Sequence, residues 1–135
     1  MGSAQDGGSD AARAAVEPHL EPGEVLRLVV AGYSGMTARV ILGVTDRRVL
    51  AVRSAYWMVK GKGLMWADPL PAVKILGKAS ETKVGPQGLG QKSGNVYVTL
   101  QRADGKKFVF NPRNGFFAHG GAANAKRLAD AIAMV

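Results

Sequence analysis

Between Val25 and Phe110 the apolar residues come in short runs broken by turn residues, and after Ala122 the spacing switches to that of a helix. That order, many strands and then one helix, is what most narrows the fold. In the clearest run Val96, Val98 and Leu100 alternate with Tyr97, Thr99 and Gln101; the chain turns at Asp104-Gly105 and returns over Lys106–Phe110. Asp-Gly between such runs predicts a hairpin with a type I′ turn, whose two central residues take positive φ. Arg39–Val44 and Arg48–Ser54 flank Thr45-Asp46-Arg47 as a second hairpin, although the alternation in its second run is imperfect. Val25–Ala31 reads as a first strand ended by the turn residues Gly32-Tyr33-Ser34-Gly35, and Lys60-Gly61-Lys62-Gly63 reads as a loop. Leu64–Ala67 and Val73–Leu76 are short strands, the first stopped by Pro69 and Pro71, and the glycine-rich Gly85–Gly94 is an irregular excursion. At the end, Ala125, Leu128, Ile132 and Val135 form one stripe of a helix. A helix this short is marginal alone, so the stripe must dock. A strongly curved sheet with a helix over one open end satisfies the whole order.

The N-terminal region differs. Residues 1–9 are Gly/Ser-rich, Ser9 or Asp10 is suited to cap a short helix over Ala11–Val16, and Pro18 opposes its continuation. Glu21-Pro22-Gly23-Glu24 has the residues of a type II turn. The expected division is a flexible acidic leader over residues 1–19 and one folded domain over 20–135. Charge follows a similar division: residues 1–24 carry −4, residues 25–113 carry +11, and the chain of 135 residues totals +8. The folded body is therefore more basic than the total suggests, which favours an anionic partner.

Leu20-Glu21-Pro22-Gly23-Glu24-Val25-Leu26, followed by Gly43-Val44-Thr45-Asp46-Arg47-Arg48-Val49-Leu50, resembles the opening of bacterial pleckstrin-homology-like domains and the related GRAM domains. The proline-marked Trp66-Ala67-Asp68-Pro69-Leu70-Pro71, the late hairpin and the C-terminal helix continue the likeness over residues 20–135. The resemblance implies a mainly β fold: a sharply bent seven-stranded sheet or partly open barrel capped by the C-terminal helix. Eukaryotic relatives of this fold often bind phosphoinositide head groups through Lys and Arg near the first strand–loop–strand. Here that loop, Gly32–Ala38, carries no base and only Arg39 follows it, so phosphoinositide is not the expected ligand. Some bacterial members are thought to form rings, which leaves self-association open.

Catalytic and metal motifs are lacking. Without cysteine there is no disulfide framework, thiolate site or Cys nucleophile. Gly85–Ser93 misses a P-loop because Gln91 separates Gly90 from Lys92 and a strand pattern follows. Gly32–Gly35 is one residue short of a nucleophile elbow. His19 and His119 lie 100 positions apart with no ligand spacing between them. No enzyme, cofactor, metal or small-molecule substrate is expected. The polar, acidic MGSAQDGGSD is not a secretory signal, Asp6 breaks the myristoylation pattern, and no apolar run approaches a membrane span. The expected location is the cytoplasm, with peripheral contact to a membrane.

The binding candidates are Arg47, Arg48, Tyr56, Trp57, Lys60, Lys62, Lys106 and Lys107. Around Lys60 and Lys62 stand Tyr56, Trp57, Met58, Leu64, Met65 and Trp66, a mixture suited to a membrane interface. The competing reading puts Trp57, Leu64 and Trp66 inside the barrel. If the loops share one rim, the bases make one patch for an anionic lipid surface or a protein. A self-assembling homo-oligomer is the alternative, and nucleic acid ranks below both because no recognition helix or stacking aromatic pair is evident.

Overall fold

The computed structural model describes residues 9–34, 38–55, 58–76, 97–112 and 122–133. Its elements are α1 (Ser9–Val16), β1 (Leu26–Ser34), β2 (Ala38–Thr45), β3 (Arg48–Ser54), β4 (Gly61–Pro69), β5 (Lys74–Ile75), β6 (Val98–Gln101), β7 (Lys107–Phe110) and α2 (Ala122–Ala133). Single 3-10 turns at Glu17–His19 and Leu70–Ala72 follow α1 and β4. Among the described residues the seven strands form two antiparallel sheets, β1-β2-β3-β4 and β5-β6-β7, and no closed barrel.

Both faces of the larger sheet are covered, which explains the imperfect alternation of β3. Leu28, Val30, Leu42, Val49 and Ala51 face a core shared with the second sheet and α2. Val29, Ala31, Ile41 and Val52 face α1 on the opposite side. Strands buried on two faces need apolar residues at odd and even positions alike. On α2 the expected stripe is buried at Ala125, Leu128 and Ile132, while Val135 lies outside the described residues. Docking of Leu128 and Ile132 contributes about 2 kcal/mol each, enough to hold a helix that water alone would melt. Outside that stripe, Lys126 Nζ pairs with Asp130 at 3.2 Å.

Three expectations are corrected. Within the 1–19 leader, the short helix expected over Ala11–Val16 is present as α1, and it is docked rather than flexible: Ala12, Ala15 and Val16 are buried against the sheet. Gly43 makes the seat, since a Cβ there would come within 2.9 Å of Val16 Cγ1. Val16→Ala is accordingly expected to cost about 1.5 kcal/mol in urea denaturation, from two buried carbons lost. An unchanged midpoint would restore the flexible leader. Second, Lys60–Gly63 is not all loop, because β4 begins at Gly61 and pairs Ser54. Third, the late hairpin is not a two-residue type I′ turn. Arg102 N–H donates to Lys106 O at 2.8 Å and Gly105 N–H to Arg102 O at 2.8 Å. These bonds close a three-residue loop, Ala103-Asp104-Gly105, with Gly105 at φ +89. That is the turn-plus-left-handed-glycine form of hairpin, and Lys106 N–H donates to Asp104 Oδ1 at 2.9 Å.

A further correction concerns Gly32-Tyr33-Ser34-Gly35, read from sequence as the end of the first strand. β1 instead runs on to Ser34. Tyr33 N–H donates to Asn111 O at 2.9 Å and Asn111 N–H returns to Tyr33 O at 2.8 Å, an isolated bridge that joins the two sheets. Gly32 is a glycine because the Asn111 carbonyl and the Phe110 ring occupy the space a side chain would take.

Candidate binding surface

At the start of β1 and the β2–β3 turn lies a closed polar network. The Glu24 carboxylate, its side chain fully buried, accepts from Arg48 Nη2 at 2.6 Å and Nε at 2.9 Å. Arg48 Nη2 also donates to His19 O at 2.9 Å, tying the segment after α1 to the sheet. Thr45 Oγ1 donates to Glu24 Oε2 at 2.7 Å and accepts the Arg47 and Arg48 N–H groups at 2.9 and 2.8 Å. The Arg48 hydrogen bonds outweigh the burial that opposes them. With the Glu21 N–H and the Thr45 hydroxyl they bring the Glu24 carboxyl down from 4.5 to about 2. Hydrogen bonding to Glu24 raises the Arg48 guanidinium in turn. The Glu24, Thr45 and Arg48 positions singled out in the sequence thus hold the turn together, and Arg48 arrives at the surface already neutralised.

The candidate bases do not share one rim. β3 pairs Arg48 with Pro69 at one end and Ser54 with Gly61 at the other, so Arg47 and Lys60 are separated by the strand's length, about 20 Å. Exposed Arg47 belongs to the first end. Exposed Lys106 and Lys107 adjoin it too, because Arg102 Nε, one turn away, binds Asp68 Oδ2 at 3.0 Å beside the start of β3. Hydrogen bonding to Asp68 raises the Arg102 guanidinium, which also lies 4.7 Å over the Trp66 ring. Lys60 and Lys62 occupy the second end. Tyr56 and Trp57 lie outside the described residues.

The second end is built by two β-bulges. Val52 pairs Leu64 while Ala51 pairs Trp66, which leaves Met65 as the extra residue; Arg53 pairs Gly63 while Ser54 pairs Gly61, which leaves Lys62. Bulges turn side chains out of the regular alternation. Trp66 points inward and meets the Phe108 ring edge-on at 5.2 Å. Leu64, expected inside by the core reading, is 44% exposed, with Met65 at 38% and Met58 at 59%. Arg53, Lys62, Gly63, Leu64 and Met65 line an open depression of ≈ 370 Å³ without a carboxylate. Of these, Leu64 and Met65 belong to the lysine-flanking segment that the sequence marked out, whereas Arg53 was not among the candidates. The signal for Met65 was its place beside the lysines; that for Arg53 was a cation interrupting an apolar strand. Arg39, the base after the first loop, is buried against the Tyr33 ring at 5.6 Å and does not extend the surface.

Among the described residues no group of three or more His, Cys, Asp or Glu is disposed to hold a metal, and no helix is long and apolar enough to cross a membrane. A four-stranded and a three-stranded antiparallel sheet, joined by the Tyr33–Asn111 bridge and followed by a C-terminal helix, is the PH-like fold. The chain is similar to the crystal structure of a pleckstrin homology domain from Shewanella amazonensis SB2B, with a TM-score of 0.52 and 14% sequence identity, over 93% of this chain and 100% of that one. No family model and no curated protein matches the sequence.

Proposed function

We propose that this protein is a non-catalytic binding module of the cytoplasm that attaches to anionic membrane surfaces through the β3–β4 end. The carrying observation is the conjunction of Arg53, Lys60 and Lys62 with exposed Met58, Leu64 and Met65 on one short stretch of surface. Thioether and leucine side chains enter the interfacial layer while the cations stay at head-group level. Each lysine near an anionic leaflet is worth about 1 kcal/mol. Sedimentation with phosphatidylcholine vesicles, with and without phosphatidylserine, tests this at low salt. Lys60→Gln with Lys62→Gln is expected to weaken binding to anionic vesicles about 30-fold, the equivalent of two such charges. Arg47→Gln with Lys107→Gln at the opposite end should change it much less. Equal binding to neutral vesicles, or equal loss from the opposite-end pair, would sink the reading.

Self-association is the second reading, supported by β4 as an edge strand with Gly61–Met65 exposed. It ranks lower because the bulges at Lys62 and Met65 and the lysines themselves spoil a flat edge for strand pairing. Light scattering at high concentration separates the two. Nucleic acid is third, since the bases divide between two ends instead of forming one stripe.

A further inference from the structure

A third bulge lies at the opposite end of the larger sheet. Leu26 pairs Thr45 and Leu28 pairs Val44, so Arg27 is the extra residue of β1. The Arg27 side chain is exposed. It lines an open groove of ≈ 300 Å³ between β1 and α2, together with Leu28, Arg127, Asp130 and Ala131. Two guanidinium groups therefore border a trough floored by Leu28 and Ala131. Arg127 Nη1 is held by Asn124 Oδ1 at 2.8 Å, which orients it on the helix. Asp130, the carboxylate among these residues, is already paired with Lys126 at 3.2 Å.

We infer that this groove binds a short acidic peptide segment of a partner protein, with a carboxylate on Arg27 and Arg127 and an adjoining apolar side chain on Leu28 and Ala131. Guanidinium forks match carboxylates, and a bulge commonly serves to re-aim one side chain at such a place. The trough is open along its length, which suits a piece of chain laid across it. A small molecule would need deeper enclosure. It also lacks the exposed methionine and leucine side chains that mark the β3–β4 end, so a lipid surface is the poorer fit. Together the two ends would let one domain carry a partner protein to a membrane.

The test uses the full chain and a fluorescein-labelled peptide of alternating glutamate and leucine, read by anisotropy. Saturable binding is expected, weakened roughly tenfold by Arg27→Gln and roughly tenfold by Arg127→Gln, the loss of one charge-assisted contact each. Both side chains are exposed, and matching thermal melts will show that the variants fold. The peptide with glutamine in place of glutamate should not bind. Absence of saturable binding, indifference to both arginine substitutions, or complete displacement by acetate (a small anion only) overturns the inference. Lys60→Gln with Lys62→Gln should leave peptide binding unchanged, and equal loss in that variant would mean nonspecific attraction to a basic protein. Those lysines carry the vesicle experiment, so the two readings fail separately.

Discussion

Glu24→Gln is expected to destabilise the protein by about 3 kcal/mol at neutral pH, because it removes the charge that compensates a largely buried guanidinium. The amide keeps the volume and one acceptor, so the loss reports the charge and the second strong hydrogen bond, not a cavity. The pH dependence has a definite sign. The Glu24 carboxyl sits at about 2 in the folded state against 4.5 as its ordinary value. The unfolded chain therefore binds the proton first as pH falls. The network's contribution is complete above the unfolded value and is lost as pH drops toward the folded one. The depression corresponds to about 3 kcal/mol, of which about two-thirds is gone by pH 3. Urea midpoints of wild type and Glu24→Gln should thus be far apart at pH 7 and close at pH 3. A gap that stays constant with pH, or a loss below about 1 kcal/mol, would mean the pair does not anchor the turn. Replacing Glu24 and Arg48 together with apolar residues should cost less than Glu24→Gln alone, since no unpaired charge remains.

This network also shows why a resemblance can mark the right residues and mislead about their work. Thr45-Asp46-Arg47-Arg48 stood out in the sequence, and its two arginines counted as binding candidates. Whether Arg48 is free depends on Glu24, a partner 24 positions away whose pairing no local pattern reveals. The elements that were legible rest on local physics. Leu128 and Ile132 share a face because of the helical period, and Val98 and Leu100 share one because a strand alternates. The corrected features rest on register or on distant approach. Lys62, Met65 and Arg27 are exposed as bulged residues, and a bulge exists only relative to the partner strand. The same applies to the charge: a body of +11 suggests one patch, but antiparallel pairing carries Lys60 and Lys62 to the end of β4 remote from Arg47.

Gly32→Ala should be the most damaging of the single-methyl additions. A strand glycine invites a turn reading, but its necessity comes from the crossing of β1 and β7. A Cβ at this position would overlap the Asn111 carbonyl oxygen and stand 2.7 Å from Phe110 Cζ. The carbonyl cannot retreat without giving up the paired Tyr33–Asn111 hydrogen bonds of 2.9 and 2.8 Å. Phe110 cannot retreat easily either, because its ring is fully buried and stacks with Phe108 at 6.5 Å. Overpacking of this kind costs about 1–3 kcal/mol, and two weakened backbone bonds add about 1 kcal/mol each, for a total of about 3–5 kcal/mol. Gly105→Ala supplies the control: nothing lies within 4 Å of a Cβ there, and only the left-handed φ of +89 opposes it. That substitution should cost about 1 kcal/mol. Amide exchange at Tyr33 and Asn111 should accelerate in Gly32→Ala before exchange in the β2–β3 hairpin does, since among the described residues the bridge joins sheets that are otherwise separately paired. Equal midpoints for the two variants, or unchanged protection at Tyr33 and Asn111, would show that the sheets are held together by α2 and the shared core instead.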